Sequence, residues 1–189
     1  GISNVLAEHS KQLLLLSSKV TSEAQIRAES LPDGFIFYGA PRGDSFERVV
    51  KLGKPCVTVD FSYGCLPSLN VDNYGVCSEL AKQAIQSKQD IVAIIGMHFL
   101  SVQSIKRLRK QDIALHTNEI SWQRLVGFTS GAGDKNVQIA PENIVHIHRN
   151  KAEEAEIAAR MLLMQENPPN VILCMSDVIA IAVTRVAKT

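Results

Sequence analysis

Ile91-Val92-Ala93-Ile94-Ile95, closed by Gly96, is the stretch on which the fold turns. Five apolar residues in a row leave no solvent face, so the segment reads as a strand buried on both sides. Downstream, helical sequence surrounds residues 122–128, and 144–147 reads as the next strand. Residues 151–165 form a helix with Glu156 four positions before Arg160, a spacing that supports an ion pair. Pro168-Pro169 ends that helix, residues 170–175 make another buried strand, and Asp177 opens a last helix through Ala187.

Upstream the same alternation runs once more. A short helix over residues 2–7 precedes a compact apolar run at 12–16. Ser22 and Gln25 make a capping-box start for a helix to about residue 30. Residues 34–38 follow as a strand. Asp44 caps a helix whose inner stripe is Phe46, Val49 and Val50, and Gly53 suits its left-handed exit. Residues 55–59 are a further strand, rich in β-branched side chains, and a long helix spans 73–87. Uninterrupted strands flanked by helices imply parallel sheets covered on both faces. Two such series, parted near Ser87-Lys88-Gln89, imply two Rossmann-like α/β lobes, 1–88 and 89–189. The chain opens in a helix without a preceding strand and stops one helix after a central-type strand, so the expectation is an incomplete pair of lobes in a longer protein.

The composition narrows the function classes. The 189 residues are 46% hydrophobic and 21% charged, with a net charge of +1. That supports a sizeable core and gives no electrostatic footprint for nucleic acid. No apolar run approaches the roughly 20 residues of a membrane span, and the start has no basic, signal-like segment. Cys56, Cys65, Cys77 and Cys174 form no CxxC pair, and unpaired thiols fit a reducing cytoplasm. No GxSxG elbow, GxxxxGKS/T loop or HExxH helix is present. Gly39-Ala40-Pro41-Arg42-Gly43 lacks the Lys-Ser/Thr pair that would hold phosphate and magnesium. No catalytic constellation, metal site or cofactor is expected.

Five motifs then carry a resemblance. Pro32-Asp33-Gly34-Phe35-Ile36 is similar to a "DG-apolar-apolar" strand, and Pro55 to Asp60 to "P-apolar-V-x-x-D". Val71-Asp72-Asn73-Tyr74-Gly75, with Ala81 and Ile85, is similar to a helix entry of the form "V-x-x-D-N…G…A…L". Arg124 to Phe128 resembles "R-x-x-G-F", and 171–185, centred on Met175-Ser176-Asp177 and Ala180, resembles "apolar strand, N-D, x-x-A". In this order and spacing the chain resembles the effector-binding core of LacI/GalR-family transcriptional regulators, a type I periplasmic-binding-protein-like fold. The chain departs from that pattern at Ser176, where the family usually has Asn, and at Ser87-Lys88-Gln89, in place of a Gly-His pair. The stretch from Gly96 to Arg124 is also longer.

The resemblance implies a small-molecule effector, a sugar or sugar derivative, bound between the lobes. It also implies a cytoplasmic homodimer and operator DNA bound through a headpiece outside this chain. The candidate ligand residues are Arg124, Asp177, Ser176, Asn150 and His148. Arg124 can donate two parallel bonds to vicinal hydroxyls or a carboxylate, or it is a surface arginine on a helix. Ser176 and Asp177 sit where open α/β sheets bind ligands, and Asp177 also suits a helix cap. Asn150 is a cleft residue or a plain loop residue. His148 lines the cleft, or pairs with His146 as two metal ligands lacking a third. Asp72-Asn73 reads first as a helix cap, and the basic 106–110 cluster as a solvated helix face. A periplasmic sugar-binding protein of a transporter and an enzyme working at the sheet edge are the alternatives.

Overall fold

The computed structural model describes residues 1–16, 32–39, 45–97, 100, 102–109, 112 and 120–188. Contacts divide the chain into two compact units, Gly1–Val71 and Asp72–Thr189, each with its own sheet.

In the first unit, α1 (Ile2–Glu8) buries none of its residues. The apolar run at 12–16 forms no strand. Its backbone is irregular and Leu13 to Leu16 are exposed, Leu15 to 84%, because no described strand pairs with it. The helix expected at 22–30, Asp44 and residues 40–43 lie outside the described residues. β1 (Phe35–Tyr38), α2 (Ser45–Lys51), β2 (Cys56–Val59) and β3 (Ser68–Leu69) follow. The three strands are parallel in the order β1-β2-β3, with Phe35 opposite Cys56 and Thr58 opposite Ser68.

Strand periodicity explains which side chains are inside. Phe35 and Phe37 share one face of β1, while Ile36 and Tyr38 on the other are exposed. Phe37 meets Phe46 of α2 edge to face at 4.6 Å, and Tyr63 meets Phe46 in the same manner at 4.7 Å. Phe46 and Val49 of the anticipated stripe are buried, and Gly53 has the expected positive φ of 67°.

The second unit opens with α3 (Asn73–Ala84), followed by β4 (Val92–Met97), β5 (Lys106–Arg107) and α4 (Ile120–Asp134). A turn of 3₁₀ helix (Pro141–Asn143) leads into β6 (Ile144–Ile147), α5 (Ala152–Leu163), β7 (Val171–Cys174) and α6 (Asp177–Ala187). The sheet order is β5-β6-β4-β7. β4 pairs in parallel with β6 on one side and β7 on the other, with Ile94 opposite both Ile144 and Leu173. Its residues Val92 to Ile95 are buried, as the unbroken apolar run requires.

The helices that flank this sheet pack in pairs, α3 on α4 and α5 on α6. α3 lies in this unit although the sequence had grouped it with residues 1–88. Gly127 and Gly131 explain the attachment. A Cβ on Gly131 would stand 2.2 Å from the Ser78 carbonyl oxygen, and one on Gly127 2.4 Å from that of Tyr74. Only glycines let the two helix backbones approach so closely.

The basic cluster departs from its helical expectation. Lys106 and Arg107 form an edge strand antiparallel to β6, and Leu108 is buried. Arg107 donates to the Gln165 side chain at 2.9 Å and to the carbonyls of Glu142 at 3.0 Å and of Met161. The last of these serves a carbonyl that the end of α5 leaves open. Glu156 lies 4.0 Å from Arg185 of the neighbouring α6, so the nearby helix supplies the partner that Arg160 was expected to be.

Candidate functional site

The carboxyl ends of the parallel strands β6, β4 and β7 lie side by side in the sheet. In an open α/β sheet this edge is the usual ligand position. All five candidate residues belong to the second unit and gather on elements that meet at this edge.

Arg124, on the second turn of α4, is half-buried. Its Nε donates to Asn73 Oδ1 at 2.8 Å and its Nη1 to the Met175 carbonyl at 2.8 Å. The guanidinium thus joins the start of α3, the body of α4 and the end of β7. Two of its faces serve the fold, and Nη2 carries no bond to protein among the described residues. Asn73 is buried and Asp72 caps α3 by accepting from the Gly75 N–H at 2.8 Å. The helix-cap reading therefore holds for Asp72, while Asn73 is a partner of Arg124.

Ser176 is the N-cap of α6. Its Oγ accepts from the Ile179 N–H at 3.3 Å and donates to Asn150 Oδ1 at 2.8 Å. Asp177, the first residue of α6, is exposed, and its Oδ1 accepts from the Val178 N–H at 2.8 Å. The pairing of Ser176 with Asn150 joins the ends of β6 and β7 across β4. His148, Arg149 and Asn150 form the turn after β6.

That turn is held by Glu154, a residue the sequence did not single out. Its Oε2 accepts from the backbone N–H groups of His148 and Arg149, both at 2.9 Å, and its Oε1 accepts from Arg149 Nε at 2.6 Å. Burial alone would raise the pKa of this carboxyl. The hydrogen bonds from Arg149, main chain and guanidinium, and from the His148 N–H outweigh it and hold the group below the usual glutamate range. The available signal was an acidic residue in the first turn of a helix, reaching back over the turn before it.

His146 is fully buried on β6 with Nε2 3.2 Å from the Val102 carbonyl, and His148 has left the strand. Among the described residues no group of three His, Cys, Asp or Glu side chains could hold a metal ion. No described helix is long and apolar enough to cross a membrane.

No protein-family model and no curated protein sequence matches the chain. Solved structures do. A LacI-family transcriptional regulator from Corynebacterium glutamicum superimposes with a TM-score of 0.73 at 16% identity, covering 99% of this chain and 58% of its own. A LacI-family sugar-binding transcriptional regulator from Escherichia coli, complexed with phosphate, gives 0.72 at 14% identity, with 99% and 64% covered. The Cra transcriptional dual regulator from Pseudomonas putida, in complex with fructose 1-phosphate, gives 0.69 at 16% identity, with 99% and 66% covered. The chain therefore has the α/β, periplasmic-binding-protein-like fold of these structures, its strands paired in parallel apart from β5. It spans 58–66% of the length of these three structures.

Proposed function

We propose that the chain is the effector-sensing and dimerisation core of a LacI-type DNA-binding transcriptional repressor, acting in the cytoplasm. In this reading a polar small molecule, a sugar or sugar derivative, meets the carboxyl edge of the second unit's sheet. Arg124 donates to it through Nη2, Asn150 and Ser176 frame it, Asp177 accepts from its hydroxyls, and His148 borders it. Binding favours one arrangement of the regulator only as far as the ligand's affinity differs between arrangements. Operator DNA is contacted by a headpiece outside this chain, in a homodimer.

The observation that carries the reading is the gathering of Arg124, Asn150, Ser176 and Asp177 at one sheet edge in a fold shared with LacI regulators. The regulators solved with fructose 1-phosphate and with phosphate suggest the probes. A thermal-shift screen of the chain against neutral hexoses, hexose 1-phosphates and inorganic phosphate is expected to show a stabilising ligand. Asp177→Asn is expected to weaken that ligand. DNA selection with the whole protein, with and without the ligand, tests the regulatory half. Sugar binding without any operator would transfer the reading to transport, and silence to every probe would remove the effector site.

A further inference from the structure

Ser176 and Asn150 do not offer a ligand the same chemistry. The Ser176 hydroxyl has one proton, and it is committed to Asn150 Oδ1 at 2.8 Å, while the oxygen also accepts from the Ile179 N–H. Ser176 therefore has no donor left. Asn150 is in the opposite position. Its Oδ1 is engaged, which fixes the sense of the carboxamide, and its Nδ2, with two N–H donors, carries no protein partner among the described residues. The side chain is exposed at the edge. The turn beneath it is fixed independently by Glu154, whose carboxylate takes the N–H groups of His148 and Arg149.

We propose that Asn150 is the hydrogen-bond reader of this edge, aimed by Ser176 and Glu154, and that it recognises an acceptor oxygen on the ligand. Such an oxygen is a carbonyl, a ring or glycosidic ether, or an anionic oxygen. A hydroxyl satisfies Asn150 only by offering its lone pair, so its proton must find an acceptor elsewhere, and the Asp177 carboxylate is the one at hand. The specificity of the edge is then a donor at Asn150 beside a donor at Arg124, with one acceptor at Asp177. Ser176 and Glu154 are positioning residues. The assignment of a ligand rests on the effector reading above; the aiming of the carboxamide does not.

The test has two arms on the full chain. In the first, the hexose or hexose phosphate that most raises the melting temperature is titrated into wild type and variants. Asn150→Ala is expected to weaken it about tenfold, the equivalent of one lost hydrogen bond. Asn150→Asp, which exchanges the donor for a charged acceptor, is expected to weaken it further, and Ser176→Ala to weaken it less than either. In the second, ligand-free arm, the heteronuclear NOE of the Asn150 side-chain NH₂ is measured by NMR. It is expected to be high in wild type and to fall in Ser176→Ala and Glu154→Gln while the dispersed backbone spectrum persists. Unchanged affinity in Asn150→Ala and Asn150→Asp would overturn the reader. An Asn150 NH₂ equally mobile with and without the Ser176 hydroxyl would overturn the aiming. If no probe raises the wild-type melt, the effector reading falls and takes the reader with it, while the NMR arm still decides whether the amide is aimed.

Discussion

Arg124 Nη1 donates to the carbonyl of Met175 across 51 residues of sequence, and Nε of the same guanidinium donates to Asn73. One side chain thus fastens three elements where a ligand contact was the principal expectation. Truncation should be felt in the ligand-free protein. Arg124→Ala is expected to lower stability by about 2–3 kcal/mol, since it removes two charge-assisted bonds to the buried residues Asn73 and Met175. Arg124→Lys should recover little, because an ammonium does not reproduce the planar fork. Urea unfolding of the ligand-free chain reads both variants, and a wild-type midpoint for Arg124→Ala would refute the tie.

The α3–α4 packing gives a contrast among three glycines of one helix. Gly131→Ala and Gly127→Ala drive a methyl into the α3 backbone and are expected to cost about 1–3 kcal/mol each. Gly133 has nothing within 4 Å of its would-be Cβ, so Gly133→Ala should stabilise by up to about 1 kcal/mol through helix propensity. Thermal melts of the three variants should therefore move in opposite directions. Equal shifts would mean that the helices are not in contact at these positions.

Glu154 predicts an acid-sensitive term. Its folded pKa lies below the ordinary value, so its contribution is present above the unfolded glutamate pKa, about 4.3, and is lost as pH falls through the folded pKa. Glu154→Gln removes the charge but keeps an acceptor. Its deficit in melting temperature should be full at pH 7 and shrink below pH of about 4. A deficit that does not change with pH would show that the charge contributes nothing.

The four thiols should separate by reactivity. Cys65 is exposed, whereas burial pushes the Cys174 thiol up to about 12 and also raises Cys77 and Cys56. A disulfide reagent at pH 8 is expected to label Cys65 rapidly in the native chain and Cys174 and Cys77 only after unfolding. Peptide mapping after a short pulse decides this, and early labelling of Cys174 would contradict its burial.

Exposed apolar side chains in the first unit carry a solution prediction. Leu13, Leu14, Leu15, Ile36, Tyr38 and Leu69 all face outward. Isolated apolar residues on a surface are ordinary, but a run of this kind is adhesive. The chain is expected to bind a hydrophobic dye and to scatter light at high concentration. Leu15→Lys should reduce both with little change in melting temperature, and an unaltered dye signal would count against this surface.

What was legible in the sequence followed the range of the forces involved. β4, β6 and β7 could be read because burial on both faces writes an uninterrupted apolar run, and α6 could be read because Asp177 and the residues after it are local signals. The run at Leu13 to Leu16 is exposed, because apolarity specifies burial only where a partner strand is at hand. Lys106-Arg107 hid a strand, since an edge strand is defined by its neighbour, Val145-His146, nearly forty residues away. In the site, a cap on Asp72 was visible within four residues. The clasp of Arg124 on Asn73 and Met175 was not, and neither was the reach of Glu154 back across the turn, because propensity and periodicity carry no information on which side chain closes on which carbonyl.

The central strand has a consequence for how the molecule comes apart. Ile94 and Ile95 are paired on both edges and covered on both faces, so their amides should be the last to exchange with deuterium. Among the described residues the first unit has three strands of two to four residues, and its central strand β2 is shorter than β4. Heating should release it first, leaving a folded remnant built around β4. A melt recorded on the whole chain then has two steps, and the upper one reports the unit that holds Arg124.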